Sequence, residues 1–153
     1  MPEHTLTQIE DRLVTILTAA PSITGRTIKV AESLDIALDD SEVPALIVLT
    51  SAYSFDIADE NNTTHHTADI EIEAISAQAP TGTISRTNRN VLARVMAIIA
   101  ADRRIGLGIH DIQEDDIAPI TPRGKDLDSA SLKFRVEWFT PRGDWFSFSS
   151  NYA

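Results

Sequence analysis

The sequence predicts an α+β fold, with a mostly antiparallel sheet and two main helices packed on one of its faces. Residues 5–18 and 86–102 place apolar residues at helical spacing, whereas residues 67–77 and 129–140 alternate apolar and polar residues with a period of two. A single predicted helix lies between strands, which disfavours a doubly wound parallel sheet. The 153 residues suffice for one domain. We therefore expect one domain over residues 1–140, followed by an aromatic C-terminal tail over residues 141–153.

The first helix is predicted from Thr5 to Thr18, and Pro21 ends the segment. Its apolar residues form one stripe about 100° wide, which is typical of a helix that lies on a sheet with one face. These residues are Leu6, Ile9, Leu13, Ile16 and Leu17.

Two strands are predicted on either side of an acidic, irregular stretch at residues 31–43. The first, Thr27–Val30, is short and is predicted to lie at a sheet edge. The second, Val43–Tyr53, is apolar on both faces, which indicates a strand that is covered on both sides. The helices can cover one side, so the other must meet a loop, a second sheet or another subunit.

Residues 54–66, SFDIADENNTTHH, are predicted to form a long polar loop. The strand after it, Thr67–Ala77, has small and aliphatic residues at alternate positions and acidic residues between them. This pattern is typical of an antiparallel strand with one buried face.

The second helix is predicted from Arg86 to Asp102. One side carries a broad aliphatic stripe, and the opposite side is filled by alanine, interrupted by Arg94. Two interpretations remain open for the alanine side. Alanine is the best helix former, and it also leaves a smooth surface that another backbone can approach closely.

Two further strands are predicted after the second helix, a weaker one at Ile109–Ile117 and a clear one at Ser129–Thr140. If the last strand pairs with Thr67–Ala77, acidic residues of one strand lie across from basic residues of the other, and each such pair contributes about 0.2–1 kcal/mol. The residues concerned are Glu71, Glu73, Lys133 and Arg135.

The chain carries little of the chemistry that enzymes use. It has no cysteine, and no nucleophile elbow, P-loop, dinucleotide-binding or zinc-protease motif. His65 and His66 lie near acidic residues, which indicates either a metal site or a solvated loop. His110 with the cluster Asp111–Asp116 indicates either a hard-cation site or a solvated strand end. We predict no catalytic residue, no metal and no cofactor, and hence no enzyme.

Charge is unevenly distributed along the chain. The net charge is −10, with −11 from residues 1–76 and +1 from residues 77–153. An acidic protein is a poor binder of nucleic acid, because phosphate contacts need lysine and arginine. The uneven charge either mixes on the folded surface or forms two patches by which one copy meets another.

The apolar stretches are too short to cross a bilayer, and the N-terminus is polar, so we expect folding in the cytoplasm and no membrane partner.

The tail PRGDWFSFSSNYA is rich in aromatic residues. Two alternatives remain open, because such a segment either folds back on its own domain or docks on a partner. Aromatic residues and arginine are both favoured at interfaces. The candidate interface residues are Arg86, Arg89, Arg94, Arg103, Arg104, Trp145, Phe146 and Phe148.

An ordered set of segments resembles the tail terminator proteins of long-tailed bacteriophages, the minor tail protein U-like family. The set covers about residues 5–140. It comprises the N-terminal amphipathic helix, VPALIVLTSAYSF, the acidic polar loop, TADIEIEAIS, NRNVLARVMAIIAADRRI and DLDSASLKFRVEWF. The aromatic tail lies beyond this pattern.

The resemblance implies a structural virion protein with an α/β fold and helices on one sheet face. Such proteins form a ring, commonly a hexamer, on the head-proximal end of the tail tube, where it stops tube polymerisation and provides the surface that joins the head. The implied partners are further copies of this chain, the tail tube protein and a head completion or connector protein, with DNA only passing through. The family supplies no catalytic residue.

A ring needs two different complementary patches on each subunit. We expect arginines of the second half to serve contacts between subunits, and the loop 54–66 to line or rim the channel. The channel-facing candidates are Asp56, Asp59, Glu60, His65 and His66. The alternatives are another head–tail connector or tail completion protein of a phage or prophage, and a small metal-dependent hydrolase using Asp111–Asp116.

Overall fold

The computed structural model describes residues 1–19, 28–30, 45–58, 62–77, 86–120 and 127–149. The expected fold class is confirmed, because two helices and a mostly antiparallel sheet make up the described part. The elements, in chain order, are α1 (Thr5–Thr18), β1 (Ile28–Val30), β2 (Ala45–Ala58), β3 (Thr63–Ala77), α2 (Arg86–Ala101), β4 (Asp111–Ile120) and β5 (Leu127–Pro141).

The described strands form one five-stranded sheet in the order β1-β2-β3-β5-β4. β1 pairs with β2 in parallel, over residues 46–48 of β2, and every other described pairing is antiparallel. β1 and β4 therefore stand at the two edges. Neither described helix is long and apolar enough to cross a membrane.

The main core lies between the helices and one face of the sheet. The stripe of α1, the aliphatic side of α2 and the alternate residues of β2, β3 and β5 are buried together. Phe134 and Trp138, in β5, are among the largest fully buried side chains. Burial of this apolar area is the dominant force holding the helices on the sheet, at roughly 25 cal/mol for each Å² removed from water.

The helix-free face of the sheet holds a smaller buried cluster of Ile47, Ile75 and Leu127. Ile47 belongs to the strand that the sequence predicts to be apolar on both faces, and residues Ala45–Val48 are all buried within the chain itself. This part of β2 is therefore not available as a surface between subunits.

The predicted polar loop at residues 54–66 is wrong for most of its length. β2 continues to Ala58 and β3 begins at Thr63, so the two strands form a hairpin that pairs Ser54 with Thr67 and Ala58 with Thr63. In this extension the imidazole of His65 lies across from Asp56, with 3.4 Å between His65 Nδ1 and the Asp56 carboxylate. Asp59 and Glu60 fall outside the described residues.

The pairing of β3 with β5 matches part of the predicted charge pattern. Glu71 lies opposite Lys133, as expected. Glu73, however, lies opposite Ser131, and Arg135 lies opposite Asp69, with 3.5 Å between Arg135 Nε and Asp69 Oδ1. The burial of the apolar face sets the register between β3 and β5. The charged residues on the other face therefore lie opposite whichever residues this register places across from them.

Candidate assembly interface

A β-bulge reorients the end of β2. Thr50 pairs with Ile70 and Ala52 pairs with Asp69, so one additional residue, Ser51, is accommodated in β2. An extra residue moves every following side chain to the other face of the sheet. Tyr53, Phe55 and Ile57 consequently point to the face of the sheet on which the helices pack.

Three side chains beyond the bulge form an exposed apolar patch. Tyr53, Phe55 and Ile57 are 36%, 54% and 49% exposed, although they share the sheet face that the helices cover elsewhere. The whole stretch from Ser51 to Ile57 is exposed. Exposed apolar patches of this kind are typical of binding sites on other proteins.

The C-terminal segment folds back beside this patch, as one of the two alternatives predicted. The backbone N–H of Thr5 donates to the carbonyl of Trp145 over 2.9 Å, and the N–H of Ser149 donates to the carbonyl of Phe139 over 2.8 Å. The Gln8 side chain donates to the carbonyl of Phe146 over 2.8 Å. Residues up to Ser149 are therefore held against α1 and β5.

The aromatic residues of this segment are divided between core and surface. Phe148 packs against the main core, and Trp145 meets Phe55 edge to face, with ring centres 4.7 Å apart. Phe146 is 49% exposed. Of the three aromatic interface candidates, Phe146 is thus the one whose ring remains largely available to a partner.

An open groove of about 500 Å³ lies between the patch and the C-terminal segment. Its lining is mostly apolar, with Arg142 as the cationic residue among the groups that line it. The lining residues are His4, Phe55, Ile57, Thr64, Arg142, Gly143, Trp145 and Phe146. A groove with several aromatic groups and one cation can hold an apolar segment that also carries a carboxylate.

His66 is buried beneath the groove. Its ring stacks on Trp138 at 5.1 Å, and its two nitrogens lie 2.7 Å from the Tyr53 hydroxyl and 2.8 Å from the Thr140 hydroxyl. Burial, and secondarily the neighbouring His4 and His65, lower the pKa of His66 to about 4. His66 is fully buried in the described structure, so it does not face a channel as predicted.

His4 joins the N-terminus of α1 to the same cluster. Its Nδ1 accepts the backbone N–H of Leu6 over 3.0 Å and so caps the helix. Burial lowers the pKa of His4, which favours the neutral ring that accepts this hydrogen bond. The cap holds the start of α1 beside Trp145, since the two rings meet edge to face at 5.6 Å.

His65 and Asp56 lie on the helix-free face. Nδ1 of His65 is 3.4 Å from Asp56, and its Nε2 is 3.8 Å from Glu137. The imidazole also stacks on Phe139 at 4.8 Å. Asp56 is exposed and His65 is partly exposed, so both present polar atoms at the surface of this face.

The candidate arginines are spread over α2 and the turn after it. Arg86, Arg89 and Arg94 are exposed on α2. Arg103 donates to the carbonyl of Ile112 over 2.7 Å and to Glu114 over 3.1 Å, so it fastens the turn to β4. Arg104 is exposed.

The alanine side of α2 is likewise exposed, at Ala93, Ala97, Ala100 and Ala101.

Three acidic residues of β4 each contact a different partner. Glu114 pairs with Arg103, Asp115 lies 3.5 Å from Lys133, and Asp111 accepts the side-chain N–H of Gln113 over 2.7 Å. Among the residues that the structure describes, no three histidine, aspartate or glutamate side chains converge on a position for a metal ion.

Sequence reasoning missed the exposed patch because it treated residues 54–66 as a loop. The signal was present, since Tyr53, Phe55 and Ile57 alternate with polar residues at the period of a strand. Arg142 and His4 carried no such signal, because only the folding back of the C-terminal segment brings them to the groove.

No protein-family model and no curated protein matches the sequence. Among solved structures, the chain is similar to a chain of a structure described as the virion of a native gene transfer agent particle. The two chains share 13% sequence identity and superpose with a TM-score of 0.51, over 82% of this chain and 90% of the other. At this identity the likeness establishes a shared fold.

Proposed function

We propose that the protein is a structural component of a phage-like virion, and that within it the chain acts as a tail terminator. In this role, copies form a ring, commonly of six, on the head-proximal end of the tail tube. The ring stops tube polymerisation and provides the surface that joins the head. The observation that carries the proposal is the fold shared with a chain of a gene transfer agent virion over most of both chains.

The surface supports an assembly role. The exposed patch of Tyr53, Phe55 and Ile57, with Phe146 beside it, is apolar, and the side of α2 that faces solvent is smooth. Such surfaces are stabilised when another protein covers them. The exposed arginines Arg86 and Arg89 on α2 supply a second surface of different character, as a head-to-tail ring requires.

The acidity of the chain suits a ring through which DNA passes. A negative wall repels phosphate and therefore lets the duplex slide without binding. Asp56 is exposed near the end of β2, and the residues at positions 59 and 60, which the structure does not describe, are also acidic in the sequence. We propose that Asp56 and the acidic residues after it rim the channel.

The closest competing role is another head–tail connector or tail completion protein. Electron microscopy of particles assembled without this protein separates the two roles. Overlong tail tubes are expected if the protein terminates tails, whereas tails of normal length that lack heads would instead indicate a connector. Normal complete particles would contradict both roles.

A further inference from the structure

The outer edge of β4 is protected against pairing with a further strand. The side chains of Asp111 and Asp116 accept the backbone N–H groups of the residues that follow them, over 2.9 and 2.8 Å. Arg103 donates to the carbonyl of Ile112, Pro119 has no N–H, and a bulge interrupts the strand. Proline, charged side chains and bulges are the features by which natural sheets keep an edge from recruiting another chain.

The opposite edge of the described sheet is open along the second half of β2. β1 is three residues long and covers residues 46–48, and no described strand pairs with the outer side of Ser51–Ala58. We call this stretch the open edge. Residues 51–57 are all exposed, and the sequence SAYSFDIA has no proline, glycine or lysine. The open edge therefore presents backbone N–H and carbonyl groups that another strand can pair.

The residue order of the open edge is symmetric in kind about Phe55. If two copies of this strand run antiparallel with Phe55 opposite Phe55, Tyr53 of each copy lies opposite Ile57 of the other. Directly opposed residues point to the same face, so these apolar side chains meet on the helix side. On the other face Ser54 lies opposite Asp56, where a hydroxyl can donate to a carboxylate.

Charge and the position of β1 select this register among the neighbouring ones. Centring the pair on Asp56 would place two carboxylates directly opposite each other, which is destabilising. Centring it on Ser54 would place Ser51, in the bulge, opposite Ile57. In the register centred on Phe55, pairing ends with residue 52 opposite residue 58, short of residue 48, where β1 stops covering β2.

The exposed area of the open edge suffices for a reversible contact. At the exposed fractions given above, its three large apolar side chains offer roughly 300 Å² per copy. With the backbone and the polar side chains, two copies bury on the order of 1,000 Å², which is at the low end for specific interfaces. We therefore expect a dissociation constant of about 1–100 μM.

We propose that the free protein forms a dimer in which the open edges of two copies pair antiparallel about a two-fold axis at Phe55. Antiparallel pairing is the more stable kind, and the axis places the helices of both copies on the same face of one continuous sheet. Because the described sheet has one open edge and β4 is protected, the contact closes at two copies. The inference goes beyond the proposed function, since it concerns the protein before assembly and covers the apolar patch until then.

Disulfide formation tests the pairing and its register, because the chain has no cysteine. In Phe55→Cys the two thiols lie on directly opposed residues, whose Cα atoms are about 4.5–5.5 Å apart, a separation that disulfides span. Ile117→Cys is the matched control on the protected edge, since Ile117 is 48% exposed and Phe55 is 54% exposed. Ala52→Cys is a control on the same strand, because the proposed register puts its two thiols about 20 Å apart.

Mild oxidation of the three variants is followed by non-reducing electrophoresis. We expect Phe55→Cys to give a covalent dimer about tenfold more abundantly than either control, because pairing raises the local concentration of its thiols. No larger product is expected. Equal yields from the three variants, or a preference for Ala52→Cys, would overturn the proposed pairing.

Sedimentation equilibrium of the native chain needs no substitution. It is expected to show a reversible equilibrium between monomer and dimer, and a chain that stays monomeric up to about 1 mM would contradict the proposal. Phe55→Lys places two ammonium groups opposite each other and is expected to weaken dimerisation about tenfold, whereas Ile117→Lys leaves it unchanged. Circular dichroism checks that both variants fold, and equal weakening by both would also contradict the proposal.

The same measurements separate this inference from the proposed function. A native chain that limits the length of tail tubes but shows neither the dimer nor the Phe55→Cys disulfide would overturn the edge pairing and leave the terminator role standing. A dimer with the expected disulfide, in a protein that has no effect on tubes, would support the edge pairing and overturn the terminator role.

Discussion

Individual residues around His66 hold the groove in place. Its ring lies between the Tyr53 hydroxyl and the Thr140 hydroxyl, and the indole N–H of Trp138 donates to the Thr5 hydroxyl over 2.8 Å. Each buried polar atom in this chain of contacts has a partner, which removes the cost of burying it. The contacts tie α1, β2, β3 and β5 together at the end of the sheet where the groove opens.

The pH dependence of stability is expected to follow His66. Its pKa is about 4 in the fold and 6.5 ordinarily, so the fold stabilises the neutral ring. The contribution is fully present above pH 6.5 and is lost as the pH falls toward 4, by about 3 kcal/mol in total. Urea unfolding at pH 7.0, 5.5 and 4.5, at roughly constant ionic strength, measures it.

His66→Gln is the matched control for this prediction, because glutamine keeps a donor and an acceptor but does not titrate in this range. The loss of stability between pH 6.5 and 4 is expected to be smaller in this variant than in the native chain. Equal slopes of stability against pH in the two proteins would show that His66 is not responsible.

At the scale of elements, the sequence predicts those whose periodicity is long and regular. α1 and the alternating faces of β3 and β5 follow from their apolar spacing, because burial of one face dominates their energetics. The β2–β3 hairpin was missed although Tyr53, Phe55 and Ile57 alternate with polar residues, because the many polar residues from Ser54 to His66 are also typical of a loop. The bulge in β2 has no local signal that fixes its position.

The docking of the C-terminal segment on the turn after α2 is testable at Gly108. A Cβ at this position would lie 2.8 Å from the Cβ of Phe148, closer than real contacts allow. Gly108→Ala is therefore expected to cost about 1–3 kcal/mol of unfolding free energy, measured by urea titration. In a Phe148→Gly background the added cost should largely disappear. The same cost in both backgrounds would contradict the docking.

The turn between α2 and β4 should depend on one arginine and not on its neighbour. Arg103 bonds the Ile112 carbonyl and Glu114, whereas Arg104 is an exposed residue of the same type. Arg103→Ala is expected to lower stability by about 1 kcal/mol, and Arg104→Ala to change it by less than about 0.5 kcal/mol. Thermal unfolding of both variants measures this, and equal effects would mean that the Arg103 contacts contribute nothing.

At the scale of the whole molecule, the described surface is better suited to assembly than to catalysis. The groove is lined mainly by apolar groups, and the carboxylates of β4 are used in separate pairs. The exposed end of β2 and the alanine side of α2 are two separate exposed surfaces. Such surfaces support the proposed role in a virion assembly.

The most direct test of the terminator role is the length of tail tubes assembled in its presence. Purified protein is titrated into a polymerising tail tube protein from the same particle, and tube lengths are measured by negative-stain electron microscopy. The account predicts that mean length falls as the ratio of this protein to tube protein rises, with extra density at one tube end. Tubes whose length distribution does not change at any ratio, and whose ends carry no added density, would contradict it.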